Sequence, residues 1–332
     1  MLNGRETMGR LRFCLAMAIC CSTGFTYAQD TMRTSWGDPD LRGTYTSDNW
    51  IGVPFQRAER YGTSEQISAE EHEERISAND VQVAKDRAPE PESKFSTDDP
   101  ASLNAPRHWL ERAESPVQAN SMIVDPPNGR LPAMTDEGER LSAGRRGQRR
   151  RPPLSYTDFS NYNRCITRGL TGSILPVIYG NGTEIFQAPG YVVIRSEMIH
   201  EARLIPLDDT PHAGEAIRMW MGDSRGRFEG DTLVVETTNF MGGAGIGSNG
   251  GGAAYSEDVR LVERIRRISQ DMIHYEFTVH DPAVYTAPWT ARVELYAKPG
   301  YKIYEYACHE GNYGLANMLN TARTDERRAN DR

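Results

Sequence analysis

Apolar and polar positions alternate most cleanly near the C-terminal end of the chain. Between Asp271 and His280, Ile273, Tyr275, Phe277 and Val279 fall on one face and His274, Glu276, Thr278 and His280 on the other, the period of a half-buried strand. Trp289, Ala291, Val293 and Leu295 repeat the pattern, and Gly190 to Glu197, Asp231 to Thr238 and Tyr301 to Ala307 are further strand candidates. Turn residues separate these runs at Glu229-Gly230-Asp231, Ser269-Gln270-Asp271 and Lys298-Pro299-Gly300, so consecutive strands are expected to form an antiparallel meander. A meander of this length must protect its edges, which predicts a mainly β fold closed as a lipocalin-like barrel or folded as a sandwich. An amphipathic helix over Asn312 to Arg323, with Leu315, Met318, Leu319 and Ala322 at helical spacing, is expected to pack on it.

The N-terminal half reads differently. Residues 29–153 are polar and broken by proline, and residues 154–332 carry the strand pattern, so the expected arrangement is a long, irregular, partly helical arm followed by the barrel. Ser64 to Arg87 is its clearest helical stretch, charged on nearly every side, which leaves His72 in solvent. Ala88 to Pro106 reads as a surface linker. Five arginines between Arg145 and Arg151, preceded by glycine and followed by Pro152-Pro153, read as a solvated linker too. With a net charge of −8 and no other basic cluster, nothing points to nucleic acid. The glycine run Gly242 to Gly252 lacks the closing lysine and following helix of a phosphate loop and reads as a flexible loop, a lid over a barrel mouth.

The first residues order Arg5, Arg10 and Arg12 before the apolar run Phe13 to Cys21 and then Thr26-Tyr27-Ala28. This is the signature of a cleaved secretory signal over residues 1–28, which predicts a periplasmic or secreted protein. No run approaches the ~20 apolar residues of a membrane-spanning helix. Cleavage after Ala28 leaves 304 of the 332 residues and two of the five cysteines, Cys165 and Cys308. In an oxidising compartment these are expected to pair, with a free buried pair or a reactive thiol as the alternatives.

Several segments carry a resemblance: YNRCITRG (162–169), EMIH (197–200), WMGDSRGR (220–227), EGDTLVV (229–235) and YEYACHEGNY (304–313). They look like a family of secreted bacterial proteins of unknown function, found in many copies in soil and marine Gram-negative bacteria. The likeness covers roughly residues 162–323, with a weaker echo at 38–43 and 123–127. It implies a compartment and no mechanism.

Candidate chemistry gathers on histidine and arginine. His200 follows Glu197 and precedes Arg203, a base, a carboxylate and an oxyanion-stabilising cation within seven residues. A bridge from Cys308 to Cys165 would draw Arg164 and Arg168 towards His309 and Glu310, making an arginine-lined pocket with a base. Trp220, Tyr304, Tyr306 and Arg225 are the expected substrate contacts, in a barrel also supplied with Tyr275, Tyr285, Trp289 and Tyr296. No dinucleotide fingerprint or phosphate loop is present, so no nucleotide cofactor is expected. Three histidines (His200, His212, His309) with a glutamate leave room for zinc or iron, although no HExxH or His-x-His pair supports a metal. The expectation is a cofactor-free lyase, isomerase or hydrolase acting on a small aromatic or apolar molecule. The alternatives are a periplasmic protein that binds a small hydrophobic ligand without turnover, and a metal-dependent hydrolase. The sequence leaves the oligomeric state open.

Overall fold

A computed structural model of the chain describes residues 32–89, 107–148 and 152–331, apart from the side chains of residues 108, 145–148 and 200. The expected signal segment, most of the Ala88 to Pro106 linker and the end of the arginine run lie outside the described residues.

The strands are β1 Gly43–Thr46, β2 Ile123–Asp125, β3 Thr183–Ala188, β4 Tyr191–Ser196, β5 Ala202–Pro206, β6 Asp223–Glu229, β7 Thr232–Thr238, β8 Arg260–Ser269, β9 Met272–His280 and β10 Trp289–Ala297. Nine of them form a nearly closed antiparallel barrel in the order β5-β4-β3-β1-β10-β9-β8-β7-β6, and β2 pairs with β10 off this path. The fold is therefore mainly β, as the alternation predicts. Ile273, Tyr275, Phe277 and Val279 of β9 are fully buried, while His274 and His280 on the opposite face are half-buried. Trp289 anchors the interior, with Phe55, Phe277 and Tyr285 edge-on around it at ring-centre distances of 5.7, 5.9 and 6.0 Å. At the seam, a Cβ on Gly226 of β6 would stand 2.8 Å from Ile205 of β5, so only glycine lets the two end strands approach.

The expected strand over Tyr301 to Ala307 has no regular structure. The reason is the occupancy of β10. One edge pairs with β9, and the other is shared by β2 at Thr290 and Ala291 and by β1 at Tyr296 and Ala297. A hairpin strand after β10 would find no free edge, and the chain instead runs over the barrel end as an extended strap. Both β1 and β2 come from the proline-broken region before Pro152.

Three helices complete the described chain: α1 Ala69–Arg87, α2 Asp136–Gln148 and α3 Tyr313–Asn330. α1 begins at a capping box formed by Ser68 and Glu71, and His72, expected in solvent, is half-buried with its Nε2 2.7 Å from the Pro116 carbonyl. The first arginines of the 145–151 run continue α2 rather than a linker. α3 buries only Ala322, and Arg323 ties it to the Pro153 and Leu154 carbonyls. The glycine-rich segment is packed rather than loose: Ala244, Ile246 and Ala253 are buried, Ile246 bridges Ala253, and the backbone of Gly250 lies against that of Arg168.

Candidate active site

The antiparallel register places Tyr45, Thr183 and Ser196 side by side. The segments leaving these strands, Ser47-Asp48, Asn181-Gly182 and Glu197-Met198, therefore emerge together at one end of the barrel. Asn181 clamps them: its Nδ2 donates to Asp48 Oδ1 at 2.8 Å and to the Val177 carbonyl at 2.7 Å, and its backbone N–H donates to Glu111 Oε2 at 3.2 Å. Glu111 arrives from the irregular N-terminal region, held by its own N–H on the Ile178 carbonyl at 2.8 Å. Glu197 accepts from the Gly182 N–H at 3.2 Å and from the Tyr301 hydroxyl at 2.5 Å. A Cβ on Gly182 would stand 2.6 Å from that carboxylate, so a side chain there would push it aside.

Three carboxylates are thus gathered at one place. Burial, the charge of Asp48 beside it and that of Glu197 push Glu111 up to about 8, against the lowering pull of the Asn181 N–H. The protonated form of Glu111 is therefore favoured, facing Asp48. Lys298 Nζ, 3.9 Å from Asp48 Oδ2 and bonded to Glu114, is the nearby cation.

Arg168 stands beside this cluster with 1% of its surface exposed. Its Nη1 donates to the Gly180 carbonyl at 2.6 Å, while Nε and Nη2 are buried and find no acceptor in the protein. Burial depresses its pKa, opposed by Tyr162, Tyr179, Glu111 and Glu197, all near enough for their charges to act on it. The Tyr162 and Tyr179 hydroxyls are 2.7 Å apart, and burial together with that bond raises Tyr162. Tyr306 on the strap also lies within electrostatic reach of Arg168.

The disulfide is present: Cys165 and Cys308 are bonded, with Cα atoms 5.7 Å apart, and join the Arg168 segment to the strap. It brings His309 back, whose Nε2 lies 2.7 Å from the Cys165 carbonyl, but His309 and Glu310 are exposed and Arg164 lies over the Tyr156 ring. Arg168 points instead towards Gly180 and the carboxylates. Arg203 is buried inside the barrel, where Nη1 and Nη2 grip the Glu263 carboxylate at 2.5 and 3.0 Å and Tyr275 donates to it at 2.8 Å. Arg225 binds Asp223 and the Thr210 and Pro211 carbonyls, Trp220 lies by Gly243, and Tyr304 is largely exposed. The backbone of His200 closes a turn after Glu197, and its side chain lies outside the described residues. Of the residues expected from sequence, the structure gathers Arg168, Glu197 and Tyr306 and leaves Arg164, Arg203, His309, Glu310, Trp220, Arg225 and Tyr304 elsewhere.

Sequence reasoning missed Asp48, Glu111, Asn181, Tyr179 and Tyr301. Glu111 sits in a stretch without periodicity, so no neighbour marks it. Among the described residues no three His, Cys, Asp or Glu side chains converge as metal ligands, and no helix is long and apolar enough to cross a membrane. No protein-family model and no curated protein matches the chain.

Proposed function

We propose that this chain is an acid–base enzyme of the lyase, isomerase or hydrolase kind, acting outside the cytoplasm on a small organic molecule. Glu111 moves the proton and Arg168 holds the negative charge that develops. The observation that carries the reading is the gathering of Glu111, Asp48 and Glu197 at one barrel end, which raises Glu111 to about 8, beside a buried guanidinium with two donors unengaged by the protein. A general acid is most effective when its pKa lies near the working pH. A cation in a dry site stabilises an anionic transition state more strongly than one in water. Asp48 receives the hydrogen bond of protonated Glu111, and Tyr301 with Gly182 holds Glu197 in place. The N-terminal signal pattern and the disulfide support an extracytoplasmic location.

The test is turnover. Metabolite comparison of a deletion strain with its parent supplies substrates, and Glu111→Gln is then assayed on the purified protein. A loss of about 10²–10⁴-fold in kcat is expected, the usual contribution of a positioned acid or base. In the parent enzyme the rate should fall above about pH 8 as Glu111 loses its proton. Undiminished turnover in the variant contradicts the proposal.

A further inference from the structure

We infer that the unengaged edge of Arg168 takes up the carboxylate of a small aromatic acid, and that residues 301–307 are the strap that closes over it. The inference rests on the reading of this place as the reacting site and names its substrate class.

The geometry of the guanidinium makes the case. With Nη1 committed to the Gly180 carbonyl, the two remaining donors, Nε and Nη2, lie along one edge. That edge presents two parallel N–H groups with the spacing of carboxylate oxygens, the bidentate pairing for which arginine is suited and lysine is not. A buried cation with half its donors unused is costly, so the edge calls for an acceptor. The protein's own carboxylates do not supply it. Glu197 is held by Gly182 and Tyr301, and Glu111 by Asn181.

The neighbours narrow the ligand further. The charges acting on Arg168 come from two tyrosines and two glutamates. Glu197 and the Asp48 carboxylate favour a monoanion over a doubly charged phosphate. The Tyr162 and Tyr179 hydroxyls, 2.7 Å apart, and Tyr306 on the strap lie within electrostatic reach of the guanidinium, and three phenol side chains at one place suit a ligand with a flat apolar body.

Nε and Nη2 are covered, so the ligand enters only when something lifts. We assign that movement to the strap. It has no regular structure and is anchored at one end by the Lys298 N–H on the Thr44 carbonyl and at the other by the disulfide at Cys308. Between these anchors it is held by the Tyr301 hydroxyl on Glu197 and by Arg195 Nη2 on the Ile303 carbonyl at 3.3 Å. Closure of this kind excludes water from the reacting groups.

The test titrates the full secreted chain with benzoate, its neutral counterpart benzamide, and inorganic phosphate, by calorimetry at neutral pH. Benzoate should bind at least tenfold more tightly than benzamide, and phosphate should not displace it. Arg168→Lys should weaken benzoate at least tenfold, and the benzoate to benzamide ratio in the parent protein decides the matter if that variant does not fold. Tyr301→Phe, which frees the strap, should speed benzoate association. Equal binding of benzoate and benzamide, displacement by phosphate, or undiminished benzoate binding in Arg168→Lys overturns the inference. If the carboxylate preference is absent while Glu111→Gln abolishes turnover, the inference fails and the acid–base reading stands. If benzoate binds through Arg168 while Glu111→Gln keeps full turnover, the acid–base reading fails instead.

Discussion

Among the described residues Arg57, Arg168 and Arg203 are buried, and the last two are solvated by the fold in opposite ways. Arg203 lies inside the barrel with both terminal nitrogens on Glu263, which Tyr275 also binds, so the cation and its counter-charge are both satisfied. Arg168, equally hidden, has one neutral acceptor and two donors that the protein leaves unengaged. The first arrangement is complete without a ligand. The second becomes complete when an anion arrives; Arg57, Arg195, Arg267, Arg292 and Arg323 each leave one buried nitrogen unengaged, and Arg168 leaves two along one edge.

The two arginines should respond differently to the loss of charge. Glu263→Gln leaves Arg203 charged and unpaired in the interior and should cost roughly 3–5 kcal/mol, read as a lowered urea midpoint. Removing the disulfide with Cys165→Ser and Cys308→Ser should cost about 2–4 kcal/mol. Faster hydrogen exchange should then concentrate in the strap and α3, leaving β8 and β9 protected; exchange that rises evenly through the barrel would mean that the bridge supports the whole fold. Arg168→Met should change stability by no more than about 1 kcal/mol, because the lost hydrogen bond is offset by the relief of burying a charge. A loss as large as that of Glu263→Gln would make Arg168 a structural residue.

The smallest effect belongs to the barrel's outer face. Glu276 and Glu294 raise His274 to about 9. Its charged form is favoured in the folded chain, so its contribution is full below the ordinary value of 6.5 and disappears as the pH rises through about 9. The side chain stays partly open to solvent, and His274→Gln should therefore cost under about 1 kcal/mol at pH 6 and nothing at pH 10.

The barrel was legible because its signal is local. Ile273 to Val279 and Trp289 to Leu295 declare their faces by period alone, and the meander follows from the turns between them. The error at Tyr301 to Ala307 came from the same local rule, since alternation does not reveal that β1 and β2 already occupy the edge a further strand would need. The disulfide followed from counting cysteines, Arg168 from its place beside that bridge, and Glu197 from its nearness to His200 in sequence. Glu111, Asp48 and Asn181 were out of reach because their meeting depends on three loops from distant parts of the chain converging at the barrel end. The pairing of Arg203 with Glu263 was hidden for a similar reason: it crosses the barrel interior, 60 residues apart.

One carboxyl group is central to the proposed site. In the folded chain Glu111 holds its proton to about 8, whereas an ordinary glutamate releases it near 4.5. The folded state therefore binds more protons between these values, and stability should fall as the pH rises through that window, a dependence that Glu111→Gln removes. The direct measurement is a carbon-detected NMR titration of the glutamate side-chain carboxyls, with Glu111 assigned by the loss of its signal in Glu111→Gln. A midpoint near 8 is predicted, and a midpoint near 4.5 would contradict the proposed active site.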